Sequence, residues 1–276
     1  MKYFYLVSNL NKDPGFALRK RVSEYLAGHG AVCEVEENAT QKPGSETECV
    51  ITLGGDGTLL RVVRRFADLS VSFIGINTGT MGYLTEGDRD NVFEILDALL
   101  NDEIIRERRM MIYGRIIRGG KVIARHRALN DIVVGRINSL KIVTTRVSVN
   151  GLFLKQYQSD GLIVSTPTGS TAYNFSAGGP IVEPTARLFV LTPLAAHSLN
   201  NRSLVLAAPD HVTIELMEPT AGNEGKCEYR VYFDGDKPVP LLPGDVVEIS
   251  QATTYINILK MSERSFVETL RSKMSD

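Results

Sequence analysis

"VITLGGDGTLLRVVRRF", from Val50 to Phe66, decides how the first part of this 276-residue chain folds. Its opening is an unbroken apolar run, as in a strand buried on both faces. "TLLRVVRRFAD" reads as a helix beginning near Thr58. Between them stand Gly54, Gly55, Asp56 and Gly57. In open α/β sheets ligands sit outside the carboxyl ends of strands. Glycines there let a phosphate approach the main chain, and the free N–H groups of a helix start attract an anion. Arg61, Arg64 and Arg65 follow on the same helix. No Lys-Ser/Thr pair completes a phosphate loop, and the glycine spacing is not that of the dinucleotide fingerprint. A phosphate-lined turn repels a carboxylate, so Asp56 points to a catalytic or Mg²⁺-related duty. The plainer alternative is an aspartate that caps the next helix.

Outward from this turn, strand and helix patterns alternate. "YFYLVS", "AVCEVE", "ECVITLGG" and "VSFIGINTG" read as strands, and "PGFALRKRVSEYLAGHG" and "NVFEILDALLND" as helices. Such alternation predicts a parallel sheet covered by helices. After about Arg106 the pattern turns to strands with Gly-Gly, Asn150-Gly151 and Asp234-Gly235 turn signals. The expected architecture is an α/β Rossmann-like domain over 1–105 and 263–276, and a β-rich, sandwich-like domain over 106–262. The terminal helix, Glu263 to Met274 with Phe266, Val267 and Leu270 on one face, is expected to return to the first domain.

Composition narrows the function classes. Hydrophobic residues make up 43% and charged residues 23%, and the formal net charge is −1. That balance gives no global pull toward nucleic acid or an anionic membrane. No apolar run approaches a membrane span, and "MKYFYLVSN" is too short for a signal core. Cys33, Cys49 and Cys227 form neither a disulfide framework nor a metal-like spacing, so a cytoplasmic location is expected. His29, His126, His197 and His211 share no metal-ligand spacing, and no metal-binding residue is identified.

A second dense stretch, "SDGLIVSTPTGSTAYNFSAGGPIV" from Ser159 to Val182, crowds glycine and small hydroxyl residues in a way that suits contact with a polar ligand. Together with "GGDGTLL", "GINTGTMGYL" and "LNDIVV", in that order along the chain, it closely resembles the NAD kinases. The resemblance implies transfer of the terminal phosphate of ATP, or of polyphosphate, to the 2′-hydroxyl of the adenosine ribose of NAD, giving NADP. It also implies a divalent cation, with Mg²⁺ expected, and a homo-oligomer, dimer or tetramer.

Residue by residue, the resemblance makes Asp56 the general base, with Gly57 beside it, and Gly54, Gly55, Gly57 and Thr58 the phosphate contacts. For NAD it implies Arg61, Asn130, Asp131, Lys141, Gln158, Asp160, Thr168, Thr171, Ala172, Tyr173, Ser176, Ala195 and Asp236. Ala195 falls where a neighbouring subunit often reaches the ligand. Two departures stand out. Asp131 replaces the family's usual Glu, and Thr80-Met81-Gly82-Tyr83 stands where His-Leu-Gly-Phe is common. The Gly-Gly-Asp-Gly turn also occurs in lipid kinases and a group of sugar kinases. A third alternative is an NAD-binding sensor that has lost its chemistry; retention of Asp56 argues against it.

Overall fold

The computed structural model describes residues 1–79, 82–87, 89–137, 142–196, 202–218, 228–261 and 266–274. The chain divides into two compact units, Met1–Arg109 with Tyr255–Asp276, and Met110–Thr254.

The first unit holds β1 (Tyr3–Ser8), α1 (Ala17–Gly28), β2 (Val32–Val35), β3 (Cys49–Gly54), α2 (Asp56–Phe66), β4 (Ser72–Asn77) and α3 (Val92–Asn101). The strands pair in parallel in the order β2-β1-β3-β4. All six residues of β3 and of β4 are buried, so the apolar runs reflect helices covering both faces. Helix α2 turns Leu59, Val62, Val63 and Phe66 inward, and α3 turns Ile95, Leu96 and Leu99 inward. Both sets follow the helical period.

Helix α1 begins later than the sequence pattern placed it. A 3₁₀ turn, Pro14–Phe16, precedes it, and Phe16 adopts the left-handed region at φ 56°. The buried Asp13 carboxylate accepts from the Leu18 and Arg19 amides, each at 3.0 Å, and so satisfies two of the helix's free N–H groups.

The second unit is β-rich. In chain order come β5 (Ile105–Arg118), β6 (Lys121–Ala128), β7 (Asp131–Ile137), β8 (Val143–Val149), β9 (Leu152–Ser159), β10 (Gly161–Ser165), α4 (Tyr173–Ser176), β11 (Leu188–Leu194), β12 (Leu204–Ala207), β13 (Val212–Leu216), β14 (Glu228–Phe233), β15 (Asp236–Leu241) and β16 (Val246–Lys260). One six-stranded antiparallel sheet has the order β12-β11-β10-β7-β14-β15. In a second sheet the first half of β16 pairs with β13, β13 with β8, and β8 with β9. The turns Gly119-Gly120, Asn150-Gly151 and Asp234-Gly235 each place both residues at positive φ, the twist that suits tight hairpins.

The chain returns to the first unit inside β16, before any helix, because Asn257 and Ile258 pair in parallel with Ser72 and Phe73 of β4. The final helix, α5 (Phe266–Met274), belongs to that unit. Its stripe differs from the expected one. Phe266, Thr269, Leu270 and Lys273 are half-buried at helical spacing, whereas Val267 is 69% exposed. Among the described residues no helix is long and apolar enough to cross a membrane.

Asp13→Ala is expected to lower stability by about 1–2 kcal/mol, read as a lower denaturant midpoint. An unchanged midpoint would show that the α1 start does not depend on this carboxylate.

Candidate active site

In the first unit, Gly54 closes β3, Gly55 is the N-cap of α2, and Asp56 is its first residue. Asp56 is not the helix cap, a position that Gly55 holds. Its carboxylate instead reaches a loop that follows β4. Oδ2 accepts from the Tyr83 amide at 2.8 Å. Oδ1 accepts from the Leu84 amide at 3.3 Å, and from the Thr85 amide and hydroxyl at 3.2 Å each. A Cβ on Gly82 would overlap this carboxylate, so the approach requires glycine there.

The remaining residues of the turn differ in exposure. Gly57 and Arg61 are exposed, while Thr58 is buried and its hydroxyl accepts from Asn9 Nδ2 at 3.3 Å. Lys12 was not singled out by the sequence. Its ammonium lies 3.2 Å from the space a Cβ would take on Gly55 and 3.3 Å from that on Gly79. Those two glycines follow β3 and β4, so a single cation is parked across two strand ends.

In the second unit a cavity of about 930 Å³ opens on the six-stranded sheet. It brings together Asn130, Asp131, Asp160, Ala172, Tyr173, Ser176 and Ala195. Gln158 is exposed on β9, Thr168 is buried in the loop before α4, Thr171 is half-buried, and Asp236 is exposed at the start of β15. None of these four lines the cavity. Lys141, Met81, His197 and Cys227 lie outside the described residues.

The cavity also takes in residues that the sequence reading missed, chiefly Arg136, Tyr232 and Asp234. Asp234 was legible as a hairpin residue but not as a cavity residue. From its turn at φ 50° its carboxylate accepts from the amides of Leu129, Asn130 and Asp131 at 3.0, 2.7 and 3.2 Å. Those partners lie more than a hundred positions upstream, beyond the reach of any local pattern. Arg136 donates to Asp160 at 2.6 Å, and its other terminal nitrogen, Nη1, is buried without a partner among the described residues. The Asn130 side-chain oxygen is likewise buried and unpartnered among the described residues. A buried polar atom without a partner is costly, so both atoms are poised to be satisfied by a bound polar molecule.

On sequence grounds the hydroxyls of the second dense stretch face a ligand. The structure uses most of them to fold the loop itself. Thr166 donates to the Leu129 carbonyl at 2.5 Å and accepts from the Gly169 amide at 3.1 Å. Ser170 donates to the Val182 carbonyl and accepts from its amide, at 3.2 and 3.0 Å. Asn174 joins the Ser170 and Pro180 carbonyls at 3.0 Å each. What remains open to the cavity is the Ala172–Ala177 end, including the Tyr173 ring.

Burial pushes the Asp131 carboxyl up to about 7, and the neighbouring Asp234 carboxylate adds to the rise. At neutral pH the group is therefore divided between an acceptor-only and a donor form.

A glycine turn at strand ends in one unit, and in the other a largely apolar cavity with a few convergent polar groups, are the marks of a nucleotide-binding enzyme. Comparison with known proteins gives the family. Residues 4–104 match the ATP-NAD kinase N-terminal domain, and residues 129–261 the ATP-NAD kinase C-terminal domain. The chain belongs to the ATP-NAD kinase family. It is 43% identical to an NAD kinase of Lachnospira eligens, over 99% of this chain and 100% of the relative. It is 40% identical to an NAD kinase of Agathobacter rectalis, over 100% and 99%. Among solved structures, an NAD kinase from Archaeoglobus fulgidus in complex with ATP superposes with a TM-score of 0.75 at 26% identity, covering 98% of each chain. A yeast NADH kinase complexed with NADH shares the fold, with a TM-score of 0.84 at 22% identity, covering 100% of this chain and 88% of that one. Nothing in these likenesses favours a lipid or sugar kinase.

The raised Asp131 carboxyl sets a sign for stability against pH. The folded protein holds a proton that the unfolded chain releases near pH ~4. Stability therefore falls as pH rises from about 4 to about 7, by at most ~4 kcal/mol, and is flat above. Asp131→Asn is expected to remove this slope and to be at least as stable as the parent protein at pH 8. Denaturant midpoints across that range check it, and a variant that keeps the slope would place its origin elsewhere.

Proposed function

We infer that this chain phosphorylates NAD at the 2′-hydroxyl of its adenosine ribose, with ATP as donor, giving NADP and ADP. One observation carries the chemical reading: the Asp56 carboxylate stands in a glycine turn and is aimed by the Tyr83–Thr85 amides. Among the described residues Oδ1 has three donors and Oδ2 one. Oδ2 thus keeps a lone pair for an incoming hydroxyl. It orients the ribose oxygen and takes its proton as the O–P bond forms and the bond to the leaving ADP oxygen breaks. A carboxylate is ordinarily a weak base toward an alcohol. Proton transfer is therefore late, in a loose transition state, and positioning and charge neutralisation supply most of the acceleration.

The remaining residues bind. Gly57 leaves the main chain open to phosphate oxygens, whereas the space beside Gly54 is filled by the Thr58 side chain, and the Lys12 ammonium beside Gly55 and Gly79 adds positive charge there. The cavity of the second unit takes NAD, with Asn130, Asp131 and Asp160 as polar contacts and Tyr173 as a stacking face. Arg61, Lys141, Gln158, Thr168, Thr171 and Asp236 remain proposed contacts on the strength of the resemblance alone. Among the described residues no three His, Cys, Asp or Glu side chains converge, and both Asp56 oxygens accept from the loop. The described residues thus build no cage for a divalent cation. Such an ion fits as one carried by the ATP phosphates, held with few protein ligands, and no step is assigned to it.

A cytoplasmic setting is consistent with the free thiols of Cys33 and Cys49. A homo-oligomer, dimer or tetramer, is supported by strand β9. It ends its sheet and exposes Leu152 and Phe153 at 76% and 58%, the kind of edge that proteins cover.

Asp56→Asn is expected to lower NADP formation by about 10²–10⁴-fold while NAD binding stays within about tenfold. Near-parental turnover in this variant would remove Asp56 from the chemistry. Light scattering at micromolar protein is expected to report a dimer or tetramer, and a stable, active monomer would contradict the assembly.

A further inference from the structure

The loop that grips Asp56 is itself tied down from a second side. Glu86 directly follows Thr85. Its amide donates to the Gly75 carbonyl at 2.7 Å, an isolated bridge that sets it beside Ile76 of β4. Its carboxylate accepts from Lys260 Nζ at 2.6 Å, and from the Met261 amide at 3.5 Å. Lys260 is the last residue of β16. The two charged side chains are only 17% and 13% exposed, so little water competes for them.

The amides of Tyr83, Leu84 and Thr85 bond to no main-chain carbonyl among the described residues. Asp56 is the acceptor for all three. No regular element holds this stretch, and its geometry depends on its fixed ends. At Gly75 the space of a missing side chain is filled by the Thr85 methyl, 2.8 Å from where a Cβ would stand. The Lys260–Glu86 pair then locks the residue that follows. From Lys260 to Asp56 the contacts form one continuous chain within the first unit.

We propose that Lys260 and Glu86 are positioning residues for Asp56, their ion pair fixing the loop whose amides aim its carboxylate. This rests on the reading of Asp56 as the proton acceptor. Neither residue touches substrate. With the pair broken, the three amides shift and the carboxylate turns with them, so the reacting hydroxyl is held less well. Binding of NAD and ATP does not depend on the pair.

The test combines amide hydrogen exchange with steady-state kinetics on the full chain, comparing the parent protein, Lys260→Gln and Lys260→Arg. In Lys260→Gln the amides of Tyr83, Leu84 and Thr85 are expected to exchange about tenfold faster, while those of β1 and β3 keep their rates. Its kcat is expected to fall about tenfold to a hundredfold with KM for NAD and ATP within about twofold. Lys260→Arg, which keeps the charge, restores most of both. If Lys260→Gln does not fold, Glu86→Asp, which shortens the arm by one methylene, is expected to show the same pattern more weakly. Unchanged exchange at the three amides overturns the proposal, and so does faster exchange with unaltered kcat. The exchange result needs no turnover, so it stands apart from Asp56→Asn, which alone tests whether Asp56 is the acceptor.

Discussion

A carboxylate that accepts from three successive main-chain amides can hold a loop that no helix or strand holds. Asp56 does this for Tyr83–Thr85 in the first unit, and in the second Asp234 binds three successive amides where Leu129 and Asn130 lead into β7. Hydrogen bonds to an ionised acceptor are roughly twice as strong as neutral ones. They also orient both partners, so the loop aims the carboxylate as firmly as the carboxylate holds the loop. Each unit's candidate functional residues sit at such a point. The strands behind them supply rigidity, and the carboxylates convert it into the placement of a few polar atoms.

Close approach is the second constraint, and glycine meets it. A Cβ on Gly169 would overlap the main chain of Asn130, and one on Gly179 the Asn174 side chain. Both glycines let the hydroxyl-rich stretch fold against β7 and upon itself. The buried hydroxyls then satisfy carbonyls and amides that irregular chain would otherwise leave bare. This is why a segment so rich in polar groups presents few of them to the cavity.

Much of the architecture was legible before any coordinates. Unbroken apolar runs such as Val50–Leu53 identify parallel strands covered on both sides, and Asn150-Gly151 and Asp234-Gly235 identify hairpins, because the governing physics is local. The site was legible only in part. Motifs singled out Asp56, Asn130, Asp131, Asp160 and Tyr173, but not the residues that partner them. Arg136 meets Asp160 across 24 positions of sequence, and Asp234 meets Asn130 across 104. Composition reports how polar a stretch is, not which way its hydroxyls point, and those of Thr166 and Ser170 are internal struts. Lys12 escaped notice because an exposed lysine in a polar loop carries no signal until Gly55 and Gly79 are seen beside it.

The parallel sheet of the first unit is completed by the far end of the chain, where Asn257 and Ile258 dock against Ser72 and Phe73. Ribosomal synthesis proceeds from the N-terminus, so β4 emerges long before the strand that covers its outer edge. The second unit is synthesised within that interval, and its last residues emerge just before those that cover β4. Non-local strand pairing is slow because the intervening loop must be closed first. An apolar edge left waiting is a template for pairing with another nascent chain. The discontinuous layout thus makes Asn257 and Ile258 a folding latch for the first hundred residues, and a chain that stops before them leaves the outer edge of β4 uncovered.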